Sequence, residues 1–281
     1  MKISQSVENL RDEINTWREQ GLSIGFVPTM GHLHAGHIAL VNAARDKCDK
    51  VVVSIFINPL QFNDASDFSS YPVTLEDDQE KLSQVKTDLL YMPTIEQMYP
   101  QGQEKASMVS VPEIGDELEG AYRPGHFDGV ATVVLKLFNQ VLPDVAFFGE
   151  KDYQQLLLIK KMVKDLDLVL EVESVATYRE NDGLAMSSRN SRLTESQRAV
   201  AAELYAALNF LSEQIKDGDV DIEKLETQAK NKLKSAGLIP DYISVRNRLN
   251  LLPADNKTRN LIVLGAAKLG DVRLIDNLIV E

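Results

Sequence analysis

The sequence predicts an α/β fold for its first 176 residues, built on a doubly wound parallel sheet, and a smaller α+β domain over 177–281. Three observations carry that prediction. Short apolar segments alternate with amphipathic helical patterns throughout the first part. The run at 50–57, KVVVSIFI, is almost continuously apolar, as suits a strand buried on both faces. Turns rich in glycine or proline stand where the strand patterns end. Strand and helix in regular alternation imply parallel pairing with right-handed crossovers. Ligands in such sheets bind at the carboxyl ends of the strands.

Taken in order, 22–27 reads as a strand, 37–48 as a helix with Ile38, Leu40, Val41 and Ala44 on one side, and 50–57 as a strand. A helix over 75–86 leads to a strand at 88–92. A helix over 127–141, a strand at 145–148, a helix over 151–165 and a strand at 168–175 complete a Rossmann-like series. From 177 to 194 the chain turns polar and reads as a flexible connection. Helices over 195–216 and 221–236 follow, parted by Asp217-Gly218-Asp219, and then short strands at 242–246, 260–266 and 272–277.

The net charge of −12 argues against a general nucleic-acid binder, which needs a basic footprint. An acidic chain that takes an anionic ligand must instead build a local basic pocket. No apolar run reaches bilayer-spanning length, and the first residues lack a signal-peptide core, so no membrane role is expected. Cys48 is the single cysteine, which excludes an internal disulfide and fits a reducing cytoplasm.

The most informative segment is Phe26-Val27-Pro28-Thr29-Met30-Gly31-His32-Leu33-His34-Ala35-Gly36-His37. A strand stops at proline, a glycine-containing turn follows, and His34 and His37 open a helix. A helix start offers unpaired N–H groups and partial positive charge to an anion, and imidazoles there can donate to phosphate oxygens. Neither the dinucleotide fingerprint nor a Walker loop is present. A zinc site would need further ligands.

Five other segments stand at strand or helix ends or, for the last, in the connection between the two domains. Asn58-Pro59-Leu60-Gln61-Phe62 brings two uncharged amides into a loop. Glu76-Asp77-Asp78 either complements a helix dipole or holds Mg²⁺ through water near a triphosphate. Arg123-Pro124-Gly125-His126-Phe127-Asp128-Gly129-Val130 is a shaped loop with anion-pairing capacity. Gly149-Glu150-Lys151-Asp152 places a lysine at a helix start, against the dipole preference, with Gln155 one turn on. Met186-Ser187-Ser188-Arg189-Asn190 offers hydroxyls and a guanidinium to phosphates.

In this order, and with Tyr71-Pro72 and 270–277, these segments resemble the pantothenate synthetase (pantoate–β-alanine ligase) family, within the nucleotidyltransferases that carry a His-x-Gly-His signature. Position 32 departs from the pattern: His stands where a small polar residue is expected. The resemblance implies a two-step reaction. Pantoate is adenylated by ATP with loss of pyrophosphate, and the amine of β-alanine then displaces AMP. It implies ATP binding by Met30, Gly31, His32, Leu33, His34, Ala35, Gly36 and His37, by Gly149, Glu150, Lys151 and Asp152, and by Tyr178, Met186, Ser187, Ser188 and Arg189. His37, His34 and Lys151 are the implied catalytic groups. Gln61 and Gln155 are the implied pantoate ligands, with Gln61 also near β-alanine. Asp77 and Asp78 are implied to order Mg²⁺. A homodimer is also implied. The alternative is a related nucleotidyltransferase that keeps AMP in its product.

Overall fold

A computed structural model describes residues 1–63, 65–216, 221–255 and 257–280; for Ala65 and Ser66 it describes the backbone alone. The expected break at Asp217-Gly218-Asp219 lies outside the described residues. By its internal contacts the chain divides into two units. One comprises Met1–Glu150 and Leu158–Ala176; the other comprises Lys151–Leu157 and Thr177–Glu281. The dividing line cuts the helix Tyr153–Asp165, whose first turn belongs to the second unit.

The first unit is a parallel sheet of six strands: β1 (Lys2–Ser4), β2 (Ile24–Thr29), β3 (Lys50–Ile55), β4 (Leu89–Tyr91), β5 (Val145–Gly149) and β6 (Glu171–Val175), in the order β1-β4-β3-β2-β5-β6. The expected α/β, Rossmann-like class is therefore the observed one. β2 pairs with β3 in register (Val27 opposite Val53) and, on its other side, with β5 (Gly25 opposite Val145). Its six residues are almost all buried, as a central strand requires. The chain leaves β2 toward β3 and β4, and later returns to its other side as β5. Strand order reverses between β2 and β5, and the carboxyl ends of these two strands flank the topological switch point.

Among the elements not expected from the sequence are β1 and the helix Val7–Glu19, which Ser6 caps by accepting from Asn9 N–H. That helix buries Leu10, Ile14 and Trp17 on one face. The expected helix at 37–48 begins earlier, at Ala35, with His34 as its N-cap. It buries Leu40, Val41 and Ala44 with Val27, Val53, Leu90 and Phe147 of the sheet, a core cluster that anchors the helix start at the end of β2.

The second unit contains a three-stranded antiparallel sheet, β7 (Ile239–Asn247), β8 (Leu261–Leu269) and β9 (Val272–Ile279), in that order. Helices Glu203–Lys216 and Ile222–Ser235 bury Leu204, Leu208, Leu211, Leu225 and Leu233 with Ile243, Val263 and Leu274 of that sheet. This matches the α+β reading. The helix expected over 195–216 is two, Glu195–Ala201 and Glu203–Lys216.

Candidate active site

Beyond β2 the backbone turns sharply. Gly31 has φ +83° and His32 φ +51°, both left-handed. A Cβ on Gly31 would lie 3.1 Å from Ile55 Cγ2 and 3.2 Å from Asp78 Oδ2, so both conformation and space demand glycine. The left-handed backbone at 32 explains why a small polar residue is expected there, since Asn and Asp tolerate it best. His32 adopts it with ring Nδ1 3.2 Å from Thr74 Oγ1.

His34 and His37 lock each other at the helix start. Gly36 N–H donates to His34 Nδ1 (3.2 Å), and His34 N–H donates to His37 Nδ1 (3.3 Å). This is a capping box built from two imidazoles. Each Nδ1 is an acceptor, so in each neutral ring the proton sits on Nε2. The rings lie 4.1 Å apart, tilted by 40°, and both are half-buried. The result is a pair of imidazole Nε2–H donors beside the positive end of a helix, an arrangement suited to phosphate oxygens.

Gln61 is held by a second network. Asn58, 1% exposed, donates from Nδ2 to Gly129 O (3.1 Å) and Gln61 Oε1 (3.3 Å). Its Oδ1 accepts from Tyr99 OH (2.7 Å). Burial pushes the Tyr99 phenol well above its usual range, so it stays a donor. Gln61 Nε2 lies 2.8 Å from Met30 Sδ, on the turn after β2. The Gln61 carbonyl accepts from Arg123 (3.2 Å) and from His126 Nδ1–H (2.7 Å). Arg123 can only donate, so His126 Nε2 accepts from it (3.0 Å), and the Nδ1–H tautomer follows. Arg123 and His126 thus brace the Gln61 backbone. The sequence alone suggests anion pairing for them.

Around 149–152, Gly149 ends β5 with open space where a Cβ would stand. Glu150 Oε1 accepts from Ser174 Oγ (2.9 Å), which ties it to β6. Lys151 stands in a 3₁₀ turn, Glu150–Asp152, ahead of the α-helix and not in its first turn as expected. Its side chain is 18% exposed and its Nζ is 3.9 Å from Asp152 Oδ2, while Asp152 is exposed. Gln155 is half-buried on the helix Tyr153–Asp165.

The flexible connection expected over 177–194 is instead braced. Arg179 and Ala185 pair as an antiparallel bridge, and Met186 N–H donates to Tyr178 O (2.9 Å). Arg179 forms a two-pronged pair with Asp276 (2.6 and 3.0 Å), donates to the carbonyls of Gly183 and Asn277, and lies 4.0 Å over the Tyr205 ring. Burial pushes the Asp276 carboxyl up, against the pull of Arg179. Asn277 Nδ2 donates to Lys151 O (2.9 Å). Ser187 Oγ accepts from Arg189 N–H (3.3 Å), and Ser188 is 8% exposed. Within the second unit, then, β9 and the hairpin from Tyr178 to Met186 fix the backbone on which Lys151 sits.

For Asp78 a role as direct Mg²⁺ ligand does not fit the structure. Asp78 is 1% exposed and both its oxygens accept backbone N–H groups, from His32 (2.8 Å) and Leu33 (2.7 Å). Asp77 is exposed, and among the described residues no cluster of three or more His, Cys, Asp or Glu could hold a metal ion. Among the described residues no helix is long and apolar enough to cross a membrane. Cys48 ends the helix Ala35–Lys47, and burial raises its thiol pKa, as a structural cysteine requires.

Sequence reasoning missed Asn58's central place, Tyr99 and the close approach of Gly129. A glycine inside the helix His126–Val141 was a usable signal for that approach.

The chain is similar to known proteins along almost its whole length. A family model described as Pantoate-beta-alanine ligase matches residues 2–279. Pantothenate synthetase of Shewanella sp. (strain MR-7) is 51% identical over 278 residues, covering 99% of each chain. That of Pseudomonas fluorescens (strain Pf0-1) is 50% identical, covering 99% of this chain and 97% of the relative. The crystal structure of pantothenate synthetase from Thermus thermophilus matches with a TM-score of 0.91 at 42% identity, covering 100% of this chain and 99% of that one. Pantoate-beta-alanine ligase from Francisella tularensis, complexed with beta-gamma ATP and beta-alanine, matches with a TM-score of 0.82 at 36% identity, covering 99% and 97%.

Proposed function

The chain belongs to the pantoate-beta-alanine ligase family, and from that premise we propose that it joins pantoate to β-alanine with ATP, giving pantothenate, AMP and pyrophosphate. A pantoate carboxylate oxygen attacks the α-phosphorus and pyrophosphate leaves. The β-alanine nitrogen then attacks the acyl carbon, loses a proton, and AMP departs. Neither step needs a nucleophilic side chain. Both need two anionic reactants brought together and their developing charge met by fixed donors.

The observation that carries the reading is the pair of Nε2–H imidazoles, His34 and His37, locked by their own backbone at the helix start. Preorganised donors there stabilise charge on the phosphates without rearranging. His37 is assigned the principal role at the α-phosphate. Met30 to His37 and Gly149 to Asp152 hold the nucleotide, with Lys151 on phosphate and Asp152 on a ribose hydroxyl. Tyr178, Met186, Ser187, Ser188 and Arg189 supply further ATP contacts. Gln61 and Gln155 bind pantoate through its hydroxyls and carboxylate, and Gln61 also meets β-alanine. Mg²⁺ is assigned to the ATP phosphates, with no protein ligand set. The same reading holds the enzyme to be a cytoplasmic homodimer.

The test is pantoate-dependent exchange of labelled pyrophosphate into ATP, with Mg²⁺ and without β-alanine. Exchange is expected, because the adenylate forms reversibly before the amine is needed. No exchange from protein that binds ATP would reject the reading.

A further inference from the structure

We propose that Asp78 is a positioning residue that holds the phosphate-binding turn in shape, and not a metal ligand; the inference rests on the functional reading above. With Gly31 at φ +83° and His32 at φ +51°, the turn has two successive left-handed residues and no strand or helix pairing of its own. Such backbone turns successive N–H groups toward one concavity, which an anion fills. Here the anion is internal. Asp78 Oδ2 takes His32 N–H at 2.8 Å and Oδ1 takes Leu33 N–H at 2.7 Å. Thr74 Oγ1 adds a third donor to Oδ1 at 3.3 Å.

The helix Leu75–Gln84 grips the same turn a second time. Lys81, three residues beyond Asp78, donates from Nζ to Leu33 O at 2.8 Å. The N–H and C=O of Leu33 are therefore both bound by one helix, and the next residue is His34, the N-cap of the helix Ala35–Lys47. Asp78 and Lys81 thus set where the two imidazoles begin. A metal role competes for the same atoms. A carboxylate has about four lone-pair directions, and three are occupied by these donors. Mg²⁺ also keeps several waters, for which a side chain on a residue 1% exposed leaves no room.

Asp78→Asn tests this, since the amide keeps the shape but turns an NH₂ toward one of the two backbone N–H groups. At saturating ATP and Mg²⁺, pantoate-dependent pyrophosphate exchange is expected to fall about 100-fold, the scale of a 1 Å misplacement. The Mg²⁺ concentration giving half the maximal rate should stay that of the wild type. Amide hydrogen exchange at residues 32 and 33 should quicken, a readout independent of turnover. A tenfold or larger rise in the Mg²⁺ midpoint, with the rate restored by excess Mg²⁺, would overturn the proposal. So would wild-type kinetics accompanied only by a lower melting temperature. Should Asp78→Asn fail to fold, Thr74→Val answers the same question. Its hydroxyl does not cap the helix, and its loss should slow exchange several-fold with the Mg²⁺ midpoint fixed; a shifted midpoint would again refute the proposal. Wild-type protein that shows no pantoate-dependent exchange fails the functional reading instead, and the amide-exchange comparison still decides the role of Asp78.

Discussion

Gly129→Ala sets two physical effects of opposite sign against each other. Gly129 lies within the helix His126–Val141, where replacing glycine by alanine ordinarily stabilises by about 1 kcal/mol. At this position the new Cβ would stand 2.4 Å from Leu60 O, 2.6 Å from Leu60 C and 2.9 Å from Gln61 N. Ordinary contact lies roughly 1 Å further out. The opposing atoms are backbone of the turn that carries Gln61, so no flexible side chain can swing aside. The turn and the helix must separate by about 1 Å, which strains or breaks the Asn58 Nδ2 bond to Gly129 O. Overpacking of this kind costs about 1–3 kcal/mol, which outweighs the gain in helix propensity. The displaced group is Gln61, whose amide is assigned to pantoate. A misplacement of about 1 Å near reacting groups costs on the order of 100-fold in rate. Steady-state kinetics on Gly129→Ala, with pantoate varied, should therefore show a large fall in kcat/KM for pantoate and a smaller change in KM for ATP, alongside a lowered melting temperature. A variant that melts higher than the wild type and keeps its pantoate kinetics would refute the reasoning.

Three further outcomes are expected. His37→Ala should lower pyrophosphate exchange by at least about 100-fold while costing only about 1 kcal/mol of stability, the worth of its half of the capping box; an unchanged rate removes His37 from the mechanism. Gln155→Ala should raise KM for pantoate far more than KM for ATP, and initial-rate measurements with each substrate varied would show it; the reverse pattern would undo the assignment. Arg179→Met should destabilise the protein at pH 7 by about 3–5 kcal/mol, because it leaves the Asp276 carboxylate buried without its partner. Burial raises the Asp276 pKa in the folded protein, so its protonated form is the better accommodated one. The penalty is present above the folded pKa and shrinks as pH falls through it. Denaturant titrations of wild type and Arg179→Met should converge as the pH is lowered, and a gap that widens would contradict the sign.

How far the sequence led differs from residue to residue. The alternation of apolar strands with amphipathic helices is local, and burial on both faces writes itself into runs such as Lys50–Ile55. Gly31 could be read as a tight turn because left-handed backbone and close approach leave few other residues. The His34–His37 spacing pointed to a helix start, because capping is a matter of three or four consecutive residues. The family resemblance drew on the joint order of such segments along nearly the whole chain.

Pairings between residues far apart in the chain were not legible. In the sequence Asp78 reads as a residue that complements a helix dipole or orders Mg²⁺, and only the fold lays it against His32 and Leu33. Tyr99 lies 41 residues from the Asn58 it orients, and Asp276 lies 97 from Arg179. The polar stretch after 176 read as flexible because its restraint comes from β9, a strand that follows much later. By itself the sequence determined what local stereochemistry and periodic burial govern: the α/β class, the capped turn and the candidate donors. Only the tertiary structure decided which buried groups hold those donors in place, because hydrogen bonds and packing depend on distance in space and leave no regular spacing along the chain.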